Sequence, residues 1–229
     1  MKLLLTCEHG GNEVPPAYRA LFHGASDVLR GHRGWDPGAM SLFRDLEPLA
    51  DAAFASTTTR LLVELNRSLH HPALFSRFTK DLPKAVRVQV LEAHYRPHRE
   101  AIEATTAYWT KAKEQVMHVA VHTFTPVLDG EVRTLDIGLL YDPARAAEKR
   151  WAERWRAAML DIDPALEVRM NRPYLGKADG LPTHLRRLHR TRYAGIELEV
   201  NQGHLRNGRF PQGLCAVIRT GLMRSLEHA

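Results

Sequence analysis

"KLLLTCEHGGNEVPP", residues Lys2 to Pro16, sets the reading of the whole chain. An apolar run of strand length stops at an acid, a histidine and two glycines. A strand that ends this way carries polar side chains to the edge of a sheet. The glycines let the backbone turn tightly and let another segment approach closely. Runs of the same kind recur along the chain: "TTTRLLVELNRS" (57–68), "MHVAVHTFTP" (117–126), "TLDIGLLYD" (134–142), "ALEVRMN" (165–171) and "YAGIELEVNQ" (193–202). Between them lie helical patterns: "SLFRDLEPLADAAF" (41–54), a long stretch over 89–115 that Pro97 starts or kinks, "ARAAEKRWAERWRAAML" (144–160), and a last helix over about 213–226. Strands alternating with helices predict an α/β sandwich around a largely parallel sheet. No repeat or low-complexity linker divides the chain, so a single domain over 1–229 is expected.

Several of these strands end in residues able to do chemistry: Glu8 and His9, Asn66 and Arg67, His122, then Glu197 and Glu199. In open α/β sheets ligands bind beyond the carboxyl ends of the strands, so parallel strands would bring these side chains to one site. His9 and His122 are then natural metal ligands. Catalytic zinc takes three protein ligands and keeps one position open, and Asp36 in "HRGWDPGAM" can supply the third. Asn12 is a weak ligand or a neighbour that orients one. His94 and His98, four apart on a helical stretch, form a second pair that either binds metal or lines a pocket. A lone strand-end histidine is also an ordinary surface residue; the weight rests on convergence.

Arg67 with Asn66 suits a substrate carboxylate, because a guanidinium grips one through two parallel hydrogen bonds. Glu197, Glu199 and Asn201 alternate and so share one face of their strand. A glutamate beside water polarised by zinc is a natural general base; a solvated acidic edge strand is the plain alternative. Arg133 can stabilise a developing oxyanion. The loop "NRPYLGKADG" (171–180), with Asn171 and Tyr174, either covers a ligand or is a turn. No serine occupies a G-x-S-x-G elbow, and no glycine cluster has phosphate-loop spacing.

Composition narrows the classes further. The chain has 229 residues, 44% of them hydrophobic, which permits a sizeable core. Only Cys7 and Cys215 are present, which fits a reducing, cytoplasmic setting. The run Leu3–Leu5 is too short for a signal peptide or a membrane span. The net charge is +6 and the pI about 9.5, but the basic residues are dispersed or mixed with acids at helical spacing. A small anionic substrate fits this charge better than nucleic acid does. Oligomeric state does not follow from these residues.

Taken in order, "EHGGNEVP", "HRGWDPGA", "LLVELNRS", "VHTFTP", "DIGLLYD", "NRPYLGKADG" and "GIELEVNQ" resemble the N-formylglutamate amidohydrolase family, over about residues 5 to 205. The resemblance implies a three-layer α/β/α sandwich similar to zinc-dependent exopeptidases. It implies one zinc ion and removal of formyl from N-formylglutamate, a step of histidine degradation. By the same resemblance His9 and His122 are the family's histidines, with Thr123 where the family has serine, and Asp36 is the aspartate of its tryptophan-containing loop, with the order of Trp35 and Asp36 reversed. Asn66 and Arg67 match the Asn-Arg pair, Glu199 the late glutamate, and Glu197 stands for a glutamine. The His-x-x-Glu metal motif of zinc carboxypeptidases is broken here by Asn12. The expectation is a metal-dependent hydrolase of N-acyl amino acids; a non-catalytic carboxylate-binding protein on the same scaffold is the rival.

Overall fold

The computed structural model describes residues 1–227. Strand β1 (Lys2–Cys7) pairs in parallel with β2 (Ala52–Ala55) on one side and with β3 (Val116–Phe124) on the other. After a small antiparallel hairpin of β4 (Val127–Leu128) and β5 (Glu131–Val132), the chain returns to the main sheet as β6 (Ile137–Leu140) and β7 (Val168–Met170). The last strand, β8 (Tyr193–Asn201), inserts beside β3, giving the order β2-β1-β3-β8-β6-β7. β8 runs parallel to β3 and antiparallel to β6, and β7 is parallel to β6. The sheet is therefore mixed and largely parallel, as expected.

The two-residue period of the strands sorts the core. Leu3, Leu5 and Cys7 of β1, Val119 and Val121 of β3, and Ile196, Leu198 and Val200 of β8 point to one face. There they meet α2 (Ala39–Leu46), α5 (Ala146–Ile162) and α7 (Gln212–Leu226). Trp151 and Trp155 of α5 are fully buried, and their indole N–H groups donate to Ser225 Oγ and the Ile218 carbonyl. Each fully buried leucine or isoleucine in this layer contributes about 1.5–3 kcal/mol. The opposite face begins apolar, with Leu4, Val116 and Tyr193 against α4 (Arg96–Lys111) and α6 (Leu181–Leu188). It turns polar toward the carboxyl ends: His118 lies between Thr6 Oγ1 at 2.9 Å and Tyr193 Oη at 2.7 Å. The architecture is a three-layer α/β/α sandwich. Among the described residues no helix is long and apolar enough to cross a membrane.

Three sequence expectations are corrected. The helix expected over 41–54 ends at Leu46, with one tighter turn, Glu47–Leu49, containing Pro48. Proline lacks the N–H that another turn needs, and the alanine-rich remainder becomes β2. The strand expected over 57–68 is irregular backbone, because β2 already occupies the free edge of β1. Its Leu62, Val63 and Leu65 bury instead against Phe22, Leu74 and Tyr95. The long helical stretch begins earlier than expected, with α3 (Lys84–Val90), and passes through a wide π-type turn, Leu91–Tyr95, before α4. The Arg96 N–H donates five residues back to Leu91, ahead of Pro97. One extra residue in that turn rotates α4 relative to α3.

Candidate active site

The carboxyl ends of β1, β3 and β8 lie side by side, in register, at the polar end of the sheet. His9 lies two residues past the end of β1, after Glu8. The next residues can turn only because Gly11 has no side chain: a Cβ there would meet the Thr57 carbonyl oxygen at 2.5 Å. That close approach brings the irregular segment 57–68 over the end of β1. The loop before α2 is tied in by the Asp36 N–H, which donates to the His9 carbonyl at 3.0 Å. Gly38, at a φ of 86°, then turns the chain into the helix.

These constraints place Asp36 between the two histidines. Its Oδ2 lies 3.2 Å from His9 Nδ1 and 3.0 Å from His122 Nδ1, and its Oδ1 accepts from Arg60 at 3.1 Å. The imidazole rings stand 4.9 Å apart. The far nitrogens also face carboxylates: His9 Nε2 bonds Glu64 Oε1, and His122 Nε2 lies 3.2 Å from Glu8 Oε2. Arg60 Nε donates to Glu64 Oε2 at 2.7 Å. All these carboxylates and both imidazoles are buried.

Burial alone would raise the pKa of Asp36 and Glu64. Their cationic neighbours outweigh it, His9 with His122 and Arg60 for Asp36, and Arg60 with His9 for Glu64, and hold both well below the usual carboxylate range. Burial opposes a charge on His122, yet Asp36 and Glu8 push its pKa well above the ordinary histidine value. Glu199 behaves oppositely. Burial, reinforced by Asp36 and Glu197 against the opposing pull of His122, pushes it up to about 8. Its Oε2 is buried with no hydrogen-bond partner among the described residues.

This donor set fits a cation. One ligand atom each from His9, Asp36 and His122 lies within 4.8 Å of the others. Two imidazole nitrogens and a carboxylate oxygen are donors of the kind that hold divalent transition metals. The cluster borders a cleft of about 840 Å³, which Glu197 and Glu199 also line. Farther out the cleft is lined by Arg67, Arg33 and His32 and by exposed Tyr174 and Leu175.

Other expected site residues sit differently. Asn12 donates to the Leu29 carbonyl at 3.0 Å and stands outside the His–Asp cluster; the carboxylate that reaches His9 from the side is Glu64. Asn66 is buried and already bonded: its Oδ1 accepts from the Leu181 N–H at 2.6 Å and its Nδ2 donates to Glu197 Oε1 at 3.0 Å. It lines the cleft with its amide engaged, Nδ2 also lying 3.4 Å from His122 Nε2. Arg67 lines the cleft, with Nη1 anchored on the Asn66 and Asp179 carbonyls. Arg133 donates to Tyr174 Oη at 2.9 Å, and the guanidinium inside the cluster is Arg60. Asn171 shapes its loop, accepting from the Tyr141 and Gly176 N–H groups. His94 and His98 do not share a ligand position, since the wide turn sends His94 against Tyr18 and His98 toward Glu8. Sequence reading missed Arg60 and Glu64 and left Glu8 without a role. The signal for Glu8 and Glu64 was a single acid at the end of or inside an apolar run, in "LLTCE" and "LLVEL".

A sequence model of the N-formylglutamate amidohydrolase family matches residues 1–205. Among solved structures, a gene product of Agrobacterium tumefaciens superposes with a TM-score of 0.82 at 28% identity, covering 99% of this chain and 91% of that one. N-formylglutamate amidohydrolase from Ralstonia eutropha JMP134 superposes with a TM-score of 0.67 at 16% identity, covering 100% and 92%, a likeness of fold. No curated protein matches. The motifs that converge at the carboxyl end of the sheet are thus those of a family of hydrolases, and the chain belongs to the N-formylglutamate amidohydrolase family.

Proposed function

We propose that the protein is a zinc-dependent amidohydrolase that cleaves the amide bond of an N-acyl amino acid such as N-formylglutamate. The observation that carries this reading is the meeting of His9, Asp36 and His122 beside the unpartnered Oε2 of Glu199 in an open cleft. His9 Nδ1, Asp36 Oδ2 and His122 Nδ1 would hold the ion. When bound, zinc supplies Lewis acidity toward a carbonyl and lowers the pKa of water.

The chain's own groups do the remaining work. Glu199 Oε2 takes the proton of the attacking water and returns it to the amine nitrogen as the C–N bond breaks. A nearby cation would bring its raised pKa back toward neutrality, the range a general base needs. Arg67 binds the substrate's carboxylate with the N–H groups that its two carbonyl anchors leave over. Asn66 fixes Glu197 at the side of the cleft. Arg60 holds Asp36 and Glu64 in place and neutralises part of their charge. The cleft lies in the range typical of drug-sized ligands, about 300–1,000 Å³, so acyl groups larger than formyl also fit.

The test is a panel of N-acyl amino acids, from formyl to bulkier acyl groups, assayed on chelator-treated protein with and without added zinc. Zinc-dependent turnover that Glu199→Gln abolishes, with zinc still bound, is the expected result. Stoichiometric binding of N-acyl amino acids without turnover would favour a carboxylate-binding protein and overturn the hydrolase reading.

A further inference from the structure

Behind His122 lies a charged group with no part in the chemistry above. Glu8, the residue directly after β1, is 0% exposed. Its Oε2 stands 3.2 Å from His122 Nε2 and its Oε1 stands 3.6 Å from His98 Nε2. Neither oxygen has an aligned hydrogen-bond donor among the described residues, so these two imidazoles are its nearest compensation. A carboxylate removed from water survives only beside positive or proton-donating partners. Here both partners are histidines, His122 on β3 and His98 on α4.

The fold takes trouble to make this contact. The wide turn at Leu91–Tyr95 sets the rotation of α4, and His98 lies in the first turn after it. His98 is nearly buried, with its side chain 9% exposed. On the other side, His122 turns its Nδ1 to Asp36 at 3.0 Å, so its two nitrogens point at two different carboxylates. The same Nε2 lies 3.4 Å from Asn66 Nδ2. A carboxylate beside Nε2 favours the tautomer that carries its proton there and leaves the Nδ1 lone pair for a ligand.

We propose that Glu8 and His98 form a positioning pair for His122. Glu8 holds the Nε2 edge so that Nδ1 stays aimed at the cation position, and His98 keeps the Glu8 carboxylate in place. This rests on the metal-binding part of the reading above, not on the identity of the substrate.

The experiment measures zinc affinity by chelator competition, and the visible absorption of the cobalt(II)-loaded protein, for wild type, Glu8→Gln, His98→Leu and His98→Gln. Circular dichroism of the metal-free proteins checks folding. Removing such a partner typically costs about 10–100-fold in metal affinity. That loss, with an altered cobalt spectrum, is expected for Glu8→Gln. His98→Leu should lose less, and His98→Gln, which keeps an N–H donor, should bind as wild type does. Wild-type affinity and spectrum in folded Glu8→Gln would overturn the pairing. Should Glu8→Gln fail to fold, His98→Leu decides: affinity equal to wild type overturns the pairing, and a loss that His98→Gln restores supports it. Wild-type protein that takes up no zinc would sink both this inference and the metal-dependent reading. Tight zinc binding without hydrolysis would sink only the proposed activity.

Discussion

Replacing Glu199 by glutamine should stabilise the metal-free protein, and increasingly so as pH rises. Glu199 is buried, its Oε2 has no partner, and its pKa is pushed from the ordinary 4.5 to about 8. A carboxyl with a raised folded value binds its proton more tightly in the folded chain than in the unfolded one. Its contribution to stability is therefore fully present below pH 4.5 and is lost as pH climbs to about 8. At about 1.4 kcal/mol per pH unit, that interval corresponds to a loss of up to about 5 kcal/mol. Glutamine keeps the shape and never ionises, so the Glu199→Gln protein escapes the loss. Titrations of His122, Asp36 and Glu64 are shared by both proteins and largely cancel in the difference. The assay is urea unfolding of both proteins in chelator at about pH 5, 6.5 and 8, read as unfolding free energy. The gap should widen steadily in favour of the variant. Adding zinc should shrink it, since a cation beside the carboxylate favours its ionised form. A gap independent of pH would refute the claim that Glu199 is held protonated by burial.

Asp36→Asn removes the one oxygen that faces both Nδ1 atoms; zinc affinity, measured by chelator competition, should fall by more than the ~10–100-fold of a change outside the ligand set. Arg67→Lys keeps the charge but loses the planar fork, so KM for an N-acyl amino acid should rise about tenfold, worth about 1.4 kcal/mol, with kcat little changed. Arg186→Met should destabilise the fold by about 1.5–3 kcal/mol in urea unfolding, because it removes the Arg186 Nε contacts at 2.9 and 3.1 Å to the fully buried Glu148 carboxylate, which keeps Arg145 at 3.1 Å and the Asp142 and Gly195 N–H groups. Gly138→Ala would place a Cβ 1.9 Å from the Arg172 carbonyl oxygen; backbone must move to relieve it, and a loss of about 3 kcal/mol or more is expected in the same assay.

The sheet was legible wherever a strand was long and flanked by polar ends. β1, β3 and β8 could be read from their apolar runs, and the common face of Glu197, Glu199 and Asn201 from alternation alone. β2 was not legible: four residues rich in alanine carry little strand signal, and they continue the helical period of the preceding segment. The segment 57–68 misled for the opposite reason. Its β-branched start and apolar centre look like a strand, yet whether it can pair depends on a sheet edge that β2 has already taken. The same misreading hid Arg60 and Glu64, since a charged residue four places from its partner has no evident meaning in a strand. The bonds that Asn66 and Asn12 make were not legible, because side-chain amides satisfy backbone groups brought near only by the complete fold, such as the Leu181 N–H and the Leu29 carbonyl. His9, Asp36 and His122 were readable by residue type and by position at strand and loop ends; their meeting was not, and needed the parallel register.

The position of β8 has a consequence for how the protein is made. It emerges late from the ribosome, yet it lies between β3 and β6, near the middle of the sheet. Until it is threaded into place, a nascent chain holds two half-sheets and lacks Glu199 altogether. An ion arriving during synthesis would find His9, Asp36 and His122 on segments not yet braced against one another. If the site takes zinc as proposed, the ion would enter a finished framework, and its uptake rate in a refolding experiment should trail the recovery of tryptophan fluorescence instead of leading it.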